Sequence, residues 1–157
     1  MPRRGYKRQF VKKDPLYSSL EVAKLITYVM RDGKKSVAEK HVYSALSMIK
    51  DEKNDPVNVL EVAINNVAPR KEVRPRRVGG ASYLVPIDTR PQRKIFLALN
   101  WIVNAANSRS NKQYHSFDKK LFAELMDAYQ NQGEAINKKL QVEKLADANK
   151  AFAHFTW

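Results

Sequence analysis

Between Glu72 and Thr89 the helical spacing of apolar residues that runs through the rest of the chain breaks off, and in the middle stands Gly79-Gly80. Two adjacent glycines can take the positive φ values that a two-residue hairpin turn demands. The flanks, Val73 to Val78 and Ser82 to Ile87, therefore read as paired strands. Pro75 and Pro86 would break a central strand, but both strands of a lone ribbon are edges, where a missing amide donor is tolerated. A ribbon inside an otherwise helical sequence has no second strand pair to join, so it should project as an arm and stay mobile until something holds it.

On either side of the ribbon the spacing is helical. Ser18 and Glu21 have capping-box spacing ahead of Val22, Leu25, Ile26 and Val29, with Gly33 placed to end the helix. Ser36 and Glu39 repeat the cap before Ala38, Val42, Ala45, Leu46 and Ile49. Asp55-Pro56 opens a third helix with Leu60, Ala63, Ile64 and Val67 inward, and Pro69 stops it. Pro91 opens a fourth, with Ile95, Ala98, Leu99, Ile102 and Ala105 inside and Phe96 and Trp101 off the stripe. A fifth runs from about Ser116 through Leu121, Leu125 and Ala128 to Gly133. A sixth carries Ile136, Leu140, Val142, Leu145 and Ala146 toward Phe152, Phe155 and Trp157. The expectation is a mainly α fold: a six-helix domain over 16–157 with a protruding two-stranded β-hairpin arm at about 72–90. A basic N-terminal extension, closed by Asp14-Pro15, takes up residues 1–15.

Charge placement turns this fold into a functional expectation. The chain has 29 Lys and Arg against 16 Asp and Glu, a net charge of +13. Residues 1–13 contribute Arg3, Arg4, Lys7, Arg8, Lys12 and Lys13 with no acid. Residues 70–94 contribute Arg70, Lys71, Arg74, Arg76, Arg77, Arg90, Arg93 and Lys94 against only Glu72 and Asp88. Residues 18–69 balance completely, so the excess is not a solubility coat spread over the helices. Like charge gathered in two short stretches is expected where phosphates lie, because neutralising them releases condensed counterions.

Strand alternation puts Arg74 and Arg76 on one face of the ribbon and Arg77 on the other. Guanidinium groups fork onto phosphate and stack on bases, and Gly79 and Gly80 let backbone approach nucleic acid closely. Tyr83, beside the turn, is the aromatic best placed to stack on RNA. Trp101 can equally pack within the domain, and the aromatics near residue 155 can serve the core or a protein contact. Arg90, Arg93 and Lys94 crowd a helix start, where the macrodipole disfavours cations unless an anion binds there too.

Enzyme chemistry finds little to work with. Lys34-Lys35 resembles the tail of a phosphate loop only superficially: Tyr28 stands where glycine is needed and Lys35 where Ser or Thr is needed. His41, His115 and His154 are far apart and there is no Cys, so neither a metal nor another cofactor is expected. No G-x-S-x-G pattern appears. Absence of Cys suits a reducing compartment, no apolar run suffices to span a membrane, and residues 1–13 lack a signal stretch, so the cytoplasm is expected. A DNA-binding module is the competing reading, since the first two helices could mimic a helix-turn-helix. The second is nearly neutral along its middle, however, unlike a recognition helix.

Three stretches carry a family resemblance: Asp32-Gly33-Lys34-Lys35-Ser36; Arg76-Arg77-Val78-Gly79-Gly80 with Tyr83, Val85-Pro86 and Arg90-Pro91; and Ala148-Asn149-Lys150-Ala151-Phe152-Ala153-His154 before Trp157. Over almost its full length the chain resembles the bacterial small-subunit ribosomal protein S-seven family. The resemblance implies a helical body with a β-arm that binds the three-prime major domain of small-subunit ribosomal RNA, nucleates assembly of the subunit head and lies beside the exit-site transfer RNA. It also implies contacts with neighbouring head and platform proteins. On matching positions, Arg76, Arg77 and Gly79-Gly80 correspond to the arm's RNA-facing part, and Lys34, Lys35, Arg90 and Arg93 to the body's basic face. Leu140-Gln141 and Thr156 depart from the family pattern, which commonly has charged residues at the first place and a basic one at the second.

Overall fold

The computed structural model describes residues 11–52 and 54–155. Helices α1 (Leu20–Val29), α2 (Lys35–Asp51) and α3 (Pro56–Val67) come first, then strands β1 (Lys71–Val78) and β2 (Ala81–Asp88). Helices α4 (Pro91–Ser108), α5 (Phe117–Tyr129) and α6 (Glu134–Ala148) follow, and a 3-10 helix covers Lys150–Phe155. This is the expected mostly helical chain interrupted by one antiparallel hairpin. Among the described residues, no helix is long and apolar enough to cross a membrane.

One buried cluster draws on all six α-helices. The stripes of α2 and α3 are buried as their spacing predicts: Val42, Ala45, Leu46, Ile49, Leu60, Ala63 and Val67 are shut off from solvent. Each such Leu or Ile contributes about 1.5–3 kcal/mol relative to an exposed side chain. Helix α4 buries more than one stripe: Leu97, Val103 and Ala106 join Ala98, Leu99, Ile102 and Ala105, because α1, α3, α5 and α6 all pack around it. Trp101, half-buried, packs against this core.

Local chemistry departs from expectation in three places. The cap of α1 is Ser19, not Ser18: Ser19 Oγ accepts from the Val22 amide at 3.4 Å and donates to Glu21 at 3.0 Å. Ser18 instead turns the chain with φ 51°, because Asp14 ties that turn to the body. The Asp14 carboxylate accepts from the Leu16 and Tyr17 amides and from Tyr43 Oη at 2.6 Å. At α2 the Ser36–Glu39 box does not form. The cap residue is Lys34, and Glu39 pairs with Lys35 at 3.3 Å.

The third departure is α6, whose inward face is Ala135, Ile136 and Ala146, while Leu140 and Leu145 stand exposed and Val142 half-exposed. Polar residues fill the gap between: Lys139 Nζ donates to the Asn66 carbonyl at 2.8 Å, and Glu143 accepts from the Arg70 amide at 2.8 Å. The helix is therefore fastened to the junction of α3 and β1 by hydrogen bonds where the sequence suggested leucines.

Strand register runs from Lys71 opposite Asp88 to Val78 opposite Ala81. Gly79 (φ 57°) and Gly80 (φ 92°) both have positive φ, as a type I′ turn requires. The hairpin is held at its base. Helix α6 packs on both strands, the 3-10 helix packs on β2, and Val85 and Pro86 are buried.

Candidate nucleic-acid interface

The cations singled out by the sequence fall into neighbouring groups. In the first, Lys12 and Lys13 line a cleft of about 150 Å³ together with Lys35 and Glu39, so the residues leading out of the basic extension run alongside the start of α2. Lys34 lies one residue away on the rim of a second cleft, of about 250 Å³, with Arg31 and His41 and an apolar wall of Val29, Val37 and Phe117. Arg3, Arg4, Lys7 and Arg8 lie outside the described residues.

A second group forms where hairpin meets body. Glu72, buried on β1, accepts from Arg74 Nη2 at 2.8 Å through one carboxylate oxygen and from Arg93 Nε at 3.2 Å through the other. One residue belongs to the arm and the other to the first turn of α4, so a single carboxylate joins the two basic clusters. The Arg93 guanidinium also lies 4.8 Å over the Phe96 ring, a cation–π contact. Phe96 in turn meets Tyr28 of α1 edge-on at 5.6 Å. Since Ala23, Ile26 and Thr27 of α1 line the first cleft, α1 stands between the two groups and joins them.

Arg90 is exposed and takes the N-cap position of α4 without a side-chain cap; Lys94 is half-buried behind it. Arg70 and Lys71 are exposed at the foot of β1, and Lys71 lines a cavity of about 430 Å³ with Asp88, Asp147 and Lys150. Toward the tip, Arg76, Arg77, Gly79 and Gly80 are all exposed. Tyr83 is placed differently from a free stacking platform. Its ring is 5.1 Å from that of Phe152 and 5.6 Å from that of Phe155, in a cluster that His154 extends.

Sequence reasoning missed the acids that organise these cations. Glu72 was only a deduction from the positive count, although an acid two residues from Arg74 on the same strand face is the signal that could have found it. At the C-terminal end of α4, burial opposes the charge of Arg109, but Asp127 and Glu124, the latter at 2.6 Å, clamp it and hold it protonated. Glu124 also accepts from the Ala135 amide at 3.1 Å, and a Cβ at Gly133 would come within 3.0 Å of that carboxylate. Arg109 is therefore an internal tie rather than a binding residue. Among the described residues, no group of three or more His, Cys, Asp or Glu could hold a metal ion.

A family model described as Ribosomal protein S7p/S5e matches residues 1–150. The chain belongs to this family. Curated relatives match the full length of both chains. The small ribosomal subunit protein uS7 of Thermoanaerobacter pseudethanolicus is 50% identical, that of Caldicellulosiruptor bescii 49% and that of Dictyoglomus turgidum 50%. Membership in the S7p/S5e family makes this a structural ribosomal protein of the cytoplasm and not an enzyme.

Proposed function

We propose that the chain binds the three-prime major domain of small-subunit ribosomal RNA, nucleates assembly of the subunit head and lies beside the exit-site transfer RNA. Neighbouring head and platform proteins are its protein partners in this reading. Residues 1–15 act as a basic arm, and residues 16–157 as one helical domain carrying the hairpin.

The observation that carries the reading is the joining of Arg74 on the hairpin to Arg93 on α4 through Glu72, with Arg90, Arg76 and Arg77 exposed nearby. Guanidinium groups there can meet phosphates from two elements at once, and Lys12, Lys13, Lys34 and Lys35 continue the positive surface past α1. A helix-turn-helix reading gains nothing from α2, whose first-turn Lys35 is paired with Glu39. Bases splayed from folded RNA suit a ribbon with arginines on both faces better than a duplex groove suits α2.

Replacing Arg74, Arg76 and Arg77 with Ala is the direct test. Binding to a transcript of the three-prime major domain should weaken, and the slope of log affinity against log salt should flatten by roughly 0.7–0.9 for each phosphate that is no longer neutralised. Unchanged affinity with an unchanged slope would refute the assignment of the hairpin.

A further inference from the structure

We infer that Glu72, an acid at the centre of the basic surface, is a positioning residue for RNA binding: it fixes Arg74 of the hairpin and Arg93 of α4 in one presentation. The inference rests on the RNA-binding reading above and adds a role to a residue whose charge, taken alone, should oppose that binding.

The geometry carries it. Glu72 is buried while its two partners are about half exposed, 49% for the Arg74 side chain and 44% for that of Arg93. Each guanidinium gives the carboxylate one donor of its five, Arg74 through an Nη2 hydrogen and Arg93 through Nε–H. Each guanidinium has further donors beyond the one given to Glu72, on a side chain that is about half exposed. Arg93 is further restrained by the Phe96 ring beneath it. A free arginine pays side-chain entropy when it grips a phosphate, and one already held by carboxylate and ring has lost much of that freedom on folding. Because the two arginines belong to different elements, the carboxylate also sets the hairpin's angle to α4 at its base.

Two accounts of Glu72 predict opposite signs. If it is only a negative charge amid cations, Glu72→Gln removes repulsion toward phosphate and RNA should bind more tightly. If it positions the arginines, the same change should weaken binding, on the order of threefold to tenfold. Glu72→Asp separates the accounts without altering net charge: a shortened carboxylate cannot reach both arginines, so positioning predicts a loss and bare electrostatics predicts none.

The experiment titrates the full chain and both variants with a transcript of the three-prime major domain. It repeats this in an Arg74→Ala, Arg93→Ala background, with thermal unfolding recorded for every protein so that affinities are compared only where all are folded. The expected result is weaker binding for both single variants and no further effect of either change once both arginines are gone. Equal or tighter binding by Glu72→Asp and Glu72→Gln, or an undiminished loss in the double-alanine background, would overturn the inference. Failure of the unaltered chain to bind the transcript at low salt would instead remove the RNA-binding reading beneath it.

Discussion

Thr89 sits where β2 hands over to α4, and its amide donates to the Arg70 carbonyl at 3.0 Å, closing the foot of the hairpin. Its hydroxyl is less well served: among the described residues, Thr89 Oγ1 is the buried side-chain polar atom that lacks a hydrogen-bond partner. A buried hydroxyl with no partner costs about 1–3 kcal/mol in desolvation, and valine has nearly the same shape without that cost. Thr89→Val is therefore expected to raise stability by about 1 kcal/mol, read as a higher urea midpoint at unchanged m value. A lower midpoint would show that the hydroxyl is satisfied in solution. Residues of this kind are hard to read from sequence, because a threonine before Arg90-Pro91 resembles any polar loop residue until its burial is known. Asp14 is a similar case. As part of Asp14-Pro15 it reads as the end of an arm, whereas its carboxylate anchors the chain to Tyr43 of α2, whose phenol pKa is raised by burial and then by this hydrogen bond.

Among the elements, α2 was legible because every member of its stripe is apolar, and Ala38, Val42, Ala45, Leu46 and Ile49 are all buried. Helix α6 was not, because it docks partly through Lys139 and Glu143, and a periodicity of apolar residues cannot register polar docking. The hairpin's existence and turn were legible from Gly79-Gly80, but its restraint was not. That depends on Tyr83 meeting Phe152 and Phe155, a contact between positions far apart in the chain that no local pattern encodes. Aromatic pairs of this geometry contribute about 0.5–1.5 kcal/mol beyond the area they bury. Phe152→Ala should therefore speed amide hydrogen exchange in β1 and β2 while leaving protection in α2 and α3 unchanged. Equal acceleration in all of them would mean that the 3-10 helix supports the whole fold rather than the arm.

At the scale of the whole molecule, the long-range ties are mostly acids facing inward. Asp118 at the start of α5 accepts from Ser44 of α2 at 3.0 Å and lies 3.9 Å from His41. Burial pushes its carboxyl up, but hydrogen bonds from Ser116, Ser44 and its own backbone amide, with His41 nearby, hold it below the ordinary value of 3.8. A carboxylate depressed on folding adds stability above its unfolded pKa and loses it as pH falls through the folded one. Asp118→Asn should thus be less stable than the parent at neutral pH, with the gap narrowing below about pH 4. Urea midpoints at pH 7 and pH 3 measure this, and a gap equal at both would show that the tie does not depend on charge. Charge counting places the positive excess in two short stretches of the chain. What counting could not supply is that α1 lies between Lys12 and Lys13 on one side, where Ala23, Ile26 and Thr27 line their cleft, and Arg93 on the other, where Tyr28 meets Phe96.

The aromatic clasp on β2 has a consequence for how the molecule is made. Phe152 and Phe155 lie roughly seventy residues downstream of Tyr83, so at about 5–20 residues per second the ribbon emerges several seconds before the segment that fastens it. During that interval the two-stranded ribbon lacks its clasp, and charge on an edge strand, here that of Arg74, Arg76 and Arg77, disfavours pairing with other chains. The same side chains that the finished arm leaves largely exposed thus guard it while it waits for its clasp.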